Sequence, residues 1–382
     1  MPLIYLDHAA ATPMDPAVSQ AMQPYLSERF YNPSATYAAA QAVRAELDTA
    51  RTRIAHHLGA RPAEVIFTAG CTEANNLAIR GVMEQFPDGK VVVGAIEHES
   101  VLAPAHLYDC REAPVGHDGV IDIDKLIELV DDNTVLVSVM YANNEVGSVQ
   151  PLKQLALKLD DIRAARRRTG NKRPLYFHTD AAQAANYLDL HTARLGVDLL
   201  SLNGGKIYGP KQTGVLFVAA HVRLQPQIVG GGQERALRAG TENVAGYIGL
   251  AQALDLAQAH RHDETARLQK LQKLFFDLLN EQLPSAVLNG SRKTRLPNNV
   301  HVTLPGEDNE RLIFALDERG IQCAAGSACS ASNDEPSHVL RAMDISDQDA
   351  QSSLRFTMGQ QTTEQMVRGA VAALSQCLQA NR

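Results

Sequence analysis

The chain is 382 residues long, 45% hydrophobic and 21% charged, the balance of a soluble globular enzyme with room for more than one packed unit. Its net charge of −7 argues against holding nucleic acid through overall charge, and no apolar run is long enough for a membrane span. The five cysteines, at 71, 110, 323, 329 and 377, form no CxxC pair; this speaks against a disulfide framework or zinc site, leaves no metal site assigned, and favours a reducing cytoplasm.

The N-terminal segment MPLIYLDHAAATP soon meets Asp7 and His8 and lacks the basic start of a secretory signal. Pro16 to Glu28 has helical spacing, Tyr31-Asn32-Pro33-Ser34 reads as a turn, and Ala38 to Leu58 reads as one long helix. Val65-Ile66-Phe67 is a strand running into Thr68-Ala69-Gly70-Cys71-Thr72-Glu73 and a helix to about Arg80. Strand, glycine and hydroxyl, then helix is a phosphate-binding geometry, because free backbone N–H groups and the positive dipole end face the anion. Many strand-to-helix turns share that pattern. Further strands are expected from Val91 to Ile96 and from Val135 to Tyr141, with helices near Val101 to Leu107, Ile123 to Val130 and Leu152 to Arg168. Strands alternating with helices at this spacing predict an α/β fold with a doubly wound, mainly parallel sheet, polar residues gathering past the strand C-terminal ends. His98, Asn144, Asp180 and Lys206 all fall just past such an end.

The glycine-rich stretch from Gly230 to Thr241 leads into helix from about Val244, and a long amphipathic helix is expected from about Ala257 to Gln282. A different pattern follows: a strand from Asn299 to Leu304, a helix from Asp308 to Arg319 and a short strand from Ile321 to Cys323. A small-residue loop, Ala324 to Ser332, precedes a short helix from His338, a strand from Leu354 to Thr357 and a closing helix from Thr363 to Ala380. The expected organisation is a large domain over residues 16–256 and a smaller α/β domain built from 1–15 and 257–382.

The chemistry concentrates in DLLSLNGGKIYGPKQTGVLFV, from Asp198 to Val218. Lys206 stands in a glycine-rich turn between two apolar strands, where little hinders its ammonium from forming a Schiff base with an aldehyde cofactor. A solvated turn lysine is the bland alternative. Upstream, Phe177-His178-Thr179-Asp180 ends an apolar strand in an aspartate, the partner that a pyridinium nitrogen requires. A strand ending in aspartate followed by a strand leading to lysine is the arrangement expected for pyridoxal phosphate.

YLDHAAATP, NPSATY, FTAGCTEANNLAI, IEHES, NNEVGSVQP, HTDAAQA, GGKIYGPKQTG, GGGQERALRAGT, GSACSAS, EPSHVLRAM and SSLRFTMG run in this order through essentially the whole chain. Together they resemble the cysteine desulfurases, a branch of the class V pyridoxal-phosphate enzymes of aspartate-aminotransferase fold, in the long-loop group. The resemblance implies that Lys206 carries the cofactor and then moves the substrate's α-proton, Asp180 keeps the pyridine nitrogen protonated, Gln183 bonds the phenolic oxygen, and His98 stacks on the ring. It assigns the phosphate to Thr72 with the backbone of Gly70 and Cys71 and to Thr241 of a neighbouring subunit, which implies a homodimer; at the two positions where the family's serine and histidine contact the phosphate, Asn203 offers its amide and Gly205 its backbone N–H instead. Asn144 joins both cofactor and substrate, Asn32 lies near the substrate, and Arg355 clamps the substrate carboxylate with its guanidinium fork. A strand-end histidine that caps backbone and a buried structural arginine are the alternatives for His98 and Arg355.

The resemblance makes Cys329 the nucleophile. Its thiolate attacks the sulfur of L-cysteine, leaving alanine and an enzyme persulfide for an acceptor protein in iron–sulfur assembly or tRNA thiolation, without direct contact to nucleic acid or membrane. Gly, Ser and Ala surround Cys329, which allows movement, whereas Cys71, Cys110 and Cys377 read as core cysteines. Three features depart from the family. Asn203-Gly204-Gly205-Lys206 replaces its Ser-x-His-Lys, Tyr37 stands where a histidine commonly follows the Asn-Pro-Ser segment, and the scaffold-docking tail is missing. The stretch from Arg163 to Arg173 holds six basic residues and reads as a solvated helix end, with an acidic acceptor or tRNA as its alternative partner. Two rival functions remain open at this stage: another class V enzyme acting on a different amino acid, and a cofactor-impaired sulfur-relay partner.

Overall fold

The structure, a computed structural model, describes residues 3–326 and 336–380. Runs such as Val91-Val92-Val93 and Thr134–Ser138 are buried on both sides, as central strands of a covered parallel sheet must be. Seven strands lie side by side in the spatial order Val65–Thr68, Gly214–Val218, Leu199–Asn203, Tyr176–Asp180, Thr134–Ser138, Lys90–Gly94 and Asp109–Ala113. Only Gly214–Val218 runs against the others, so the remaining strands point their C-terminal ends to one edge.

Alternation along the strands divides the core into two layers. Val65, Phe67, Val92, Val137, Phe177 and Leu200 face one helical layer, and Ile66, Val91, Val93, Leu136, Leu199 and Leu216 face the other. A separate core gathers Leu6, Phe275, Val300, Leu312, Phe356 and Val371. It covers a three-stranded antiparallel sheet of Ser353–Thr357, Asn299–Thr303 and Val287–Leu288, and lies beside a parallel pair of Ile4–Tyr5 with Ile321–Gln322. The N-terminal segment therefore packs with the C-terminal part of the chain.

Several elements differ from the sequence reading. Helix Val244–Gln282 is one continuous element of 39 residues rather than two, placing Tyr247 and Leu254 in the large-sheet core and Leu268 and Phe275 in the second core. No glycine or proline interrupts it after Gly249, so nothing ends it locally. Pro16 to Glu28 divides into Pro16–Met22 and Pro24–Ser27, because Pro24 has no N–H to donate into the first helix. Asp109–Ala113 (DCREA) forms an edge strand despite its charges. The basic run is only partly solvated: it closes helix Leu152–Thr169 with Gly170 left-handed at its end, and Arg166 is 4% exposed.

Candidate active site

The strand C-terminal edge gathers most of the expected residues. Asp180 is the last residue of Tyr176–Asp180, and the neighbouring strand Leu199–Asn203 leads through the short turn Gly204–Lys206 to the lysine. Lys206 lines a cavity of about 490 Å³ together with Gly70, Cys71, Thr72, Asn203 and Gly205. Gly70 stands at φ 139° as the N-cap of helix Cys71–Met83, and it brings no side chain to cap the first N–H groups. An uncapped helix N-terminus beside two lysines, Lys206 and Lys211, is an anion site, so these residues fit a phosphate-bearing aldehyde cofactor.

A connected polar network holds Asp180, which is 6% exposed. Asn75 Nδ2 donates to Asp180 Oδ2 at 2.7 Å, the Ala182 N–H to Oδ1 at 2.9 Å, and the Cys71 thiol to Oδ1 at 3.4 Å. Burial, and then the Asp180 charge, pushes the Cys71 thiol well above its ordinary range, which keeps it a donor. The other Asn75 amide hydrogen reaches Ser100 Oγ at 2.9 Å. Ser100 Oγ lies 2.8 Å from His98 Nδ1, and the Ser100 N–H donates to that same nitrogen at 3.0 Å. His98 Nδ1 is thus the acceptor, which leaves the ring proton on Nε2. His98 also caps helix Glu99–Ala105, so both its capping reading and its place beside the Asp180 network hold.

The N-terminal segment crosses this edge. Lys206 Nζ donates to the carbonyls of Ala9 at 2.8 Å and Ala10 at 2.6 Å, and Gln183 Nε2 reaches Ala9 O at 3.0 Å. Lys211 Nζ donates to Thr12 O at 2.7 Å. Arg355 is 1% exposed; its NH2 pairs with Asp7 Oδ1 at 2.7 Å and its NH1 donates to Asn144 O at 3.0 Å, while its buried Nε has no acceptor among the described residues. Gly205 departs from one local expectation. Its N–H donates to Asn203 Oδ1 at 3.0 Å, so it is not available for a phosphate.

Not every expected residue converges. Asn32 is exposed and holds its own turn by accepting from the Ser34 N–H at 2.9 Å. Thr241 is exposed, does not line the cavity, and follows the glycine-rich loop. Cys329 lies outside the described residues. After them the chain returns to the site: Ser337 Oγ donates to Glu145 Oε2 at 2.6 Å, and His338 Nε2 lies 2.9 Å from Glu97 O. The sequence reading missed Asn75, Ser100 and Lys211. The spacing of Cys71 and Asn75, one helical turn apart, is the signal that could have found Asn75.

A model of the aminotransferase class-V family matches residues 4–368, and the chain belongs to that family. Among its curated relatives the chain is similar to the cysteine desulfurase IscS of Dictyoglomus turgidum, 38% identical over 95% of this chain and 91% of that protein. The putative cysteine desulfurase IscS 1 of Bacillus subtilis is also 38% identical, over 97% of each chain. Of the solved structures, a NifS-like protein superposes with a TM-score of 0.90 at 28% identity, covering 99% of this chain and 100% of the other. SspA in complex with cysteine superposes at 0.80 with 33% identity, covering 93% and 98%.

Proposed function

We propose that this chain is an L-cysteine desulfurase that uses pyridoxal 5′-phosphate, forming L-alanine and a persulfide on Cys329. The observation that carries the reading is the convergence of Asp180, Lys206 and the uncapped start of helix Cys71–Met83 at one sheet edge. When bound, the cofactor supplies an electron-accepting ring that stabilises the electron pair released at the substrate's α-carbon. Thr72 and the Gly70–Cys71 backbone hold its phosphate, with Asn203 beside them. Asp180, fixed by Asn75, Ala182 and Cys71, would keep the ring nitrogen protonated. Gln183 and His98 would help to hold the ring.

Lys206 takes a proton from the substrate's α-carbon and returns one later, from an amine that the carbonyls of Ala9 and Ala10 hold at the sheet edge. Arg355 binds the substrate carboxylate with Asn144 adjacent; its Nε, without an acceptor among the described residues, supports this assignment, while Asn32 keeps a place near the substrate only as what the family resemblance implies. The Cys329 thiolate attacks the substrate sulfur. The S–S bond forms as the carbon–sulfur bond breaks, the electron pair stays with carbon, and a proton there completes alanine. An acceptor thiol then removes the sulfur.

The reading carries further proposals: a homodimer in which exposed Thr241 serves the partner's site, a sulfur-acceptor protein in iron–sulfur assembly or tRNA thiolation, and a cytoplasmic setting. It also keeps residues 16–256 as a cofactor domain and 1–15 with 257–382 as the cysteine-loop domain, supported by the separate cores. The test is alanine and sulfide release from L-cysteine with a thiol reductant, in the parent and in Cys329→Ser. Both products should appear with the parent and neither with the variant. Undiminished sulfide from Cys329→Ser would make the protein a lyase of another kind.

A further inference from the structure

The six basic residues between Arg163 and Arg173 have no part in the reading above. They cluster at the opposite edge of the sheet, where strands Tyr176–Asp180 and Leu199–Asn203 begin. Arg163, Arg166, Arg167, Lys172, Arg173 and His221 line a cavity of about 670 Å³ there, with Asp198 as the one carboxylate in the lining. This volume lies within the range of small-molecule sites, roughly 300–1,000 Å³.

Arg166 builds the cavity. Its guanidinium donates to the carbonyls of Asp131 at 2.6 Å, Thr134 at 2.8 Å and Pro174 at 3.0 Å, which folds the segment after Gly170 back over the helix end. Among the described residues no carboxylate accepts a hydrogen bond from it. The nearby Asp131 is paired with Lys90 and Arg111. Arg163 pairs with Asp198 at 2.5 Å and Asp160 at 2.8 Å, His221 shares Asp198 at 3.0 Å, and Arg173 pairs with Asp88 at 2.7 Å. Arg167 and Lys172 form no ion pair with a described residue.

Cations at a helix C-terminus stabilise its dipole, and that accounts for part of the cluster. It does not account for His221, which comes from another part of the chain, or for the concave shape. Tyr176 and His221 form an aromatic wall, their ring centroids 6.1 Å apart. A recess lined by more cations than carboxylates concentrates small anions, and its concavity suits an inserted group better than an extended acidic helix or RNA.

We propose that this cavity binds a diphosphate group, free or carried by a nucleotide, with Arg167 and Lys172 as the charges left for it. The site is independent of the desulfurase reading.

The experiment uses the full-length protein loaded with cofactor, titrated calorimetrically at low salt with ADP, inorganic pyrophosphate and adenosine. ADP and pyrophosphate should bind saturably, adenosine should not, and added salt should weaken both. ADP binding tighter than pyrophosphate assigns the base to the Tyr176–His221 wall, whereas equal affinities assign the site to free diphosphate. Arg167→Glu combined with Lys172→Glu changes two surface residues. It should weaken both ligands at least tenfold while leaving cofactor absorbance and melting temperature unchanged. Absence of saturable binding at millimolar ligand overturns the proposal. So does equal binding by the double variant, which would move the anion to another cavity.

Discussion

Tyr176 and Asp180 begin and end the same five-residue strand, separated by about 13 Å at strand spacing. Around Asp180, Asn75, Ser100 and Arg355 each bridge two partners, and all three are buried. Around Tyr176, most cations are partly exposed, and Arg163 and His221 share one carboxylate, Asp198. Polar groups at the first end are buried and depend on specific partners, with little water to replace a loss. At the second end, solvent and neighbouring charges can substitute. The same sheet thus carries a pre-oriented site at one edge and a tolerant, screened one at the other.

The largest effect expected from this contrast is at Arg355. Arg355→Met leaves Asp7 without its partner and should lower stability by about 3 kcal/mol, near the lower end for breaking a buried pair. Urea unfolding checks this, and a loss under about 1 kcal/mol, the scale of a surface pair, would break the comparison.

Asn75 gives the next effect. Asn75→Ala removes one of the three donors to Asp180 and one of the two partners of Ser100 Oγ, which keeps His98 Nδ1, and a hydrogen bond to a charged group is worth about 1.5–3 kcal/mol. The variant should hold pyridoxal phosphate roughly tenfold less tightly, since about 1.4 kcal/mol is a factor of ten. Cofactor absorbance after equilibrium dialysis reads it directly, and unchanged retention would show that Cys71 and Ala182 suffice.

Gly205 gives the smallest of the three. A Cβ there would lie 3.4 Å from Asn203 Oδ1 and 3.6 Å from the stem of Lys211, ordinary contact distances, so Gly205→His should fold. Its imidazole adds a donor beside the phosphate cavity and should raise cofactor retention under saturating L-cysteine by up to about tenfold. No gain would mean that the helix start and Lys211 already satisfy the anion.

Much of the large sheet was legible because its strands are apolar, short and separated by helical periods. His98, Asp180 and Lys206 could be placed at one edge from their positions just past strand ends, with no structure in hand. Asn75 shares a helix face with Cys71 by a spacing visible in the sequence, but only the packed sheet decides that this face meets Asp180. The edge strand Asp109–Ala113 carries Asp, Arg and Glu and owes its form to the ladder with Lys90–Gly94, not to its own propensity. The pairing of Ile4–Tyr5 with Ile321–Gln322 links residues more than 300 positions apart, and local pattern cannot contain such a contact. The basic run was misread in part because a sequence does not reveal that Arg166 turns inward to four backbone carbonyls.

The central claim is that the Lys206 amine carries the cofactor beside the start of helix Cys71–Met83. The direct measurement is borohydride reduction of the cofactor-loaded protein followed by peptide mass mapping. The pyridoxyl phosphate mass should appear on the peptide containing Lys206, at Lys206 itself, and should be absent from Lys206→Ala. Finding it on Lys211, or finding no adduct in a protein that still releases sulfide from L-cysteine, would contradict the account.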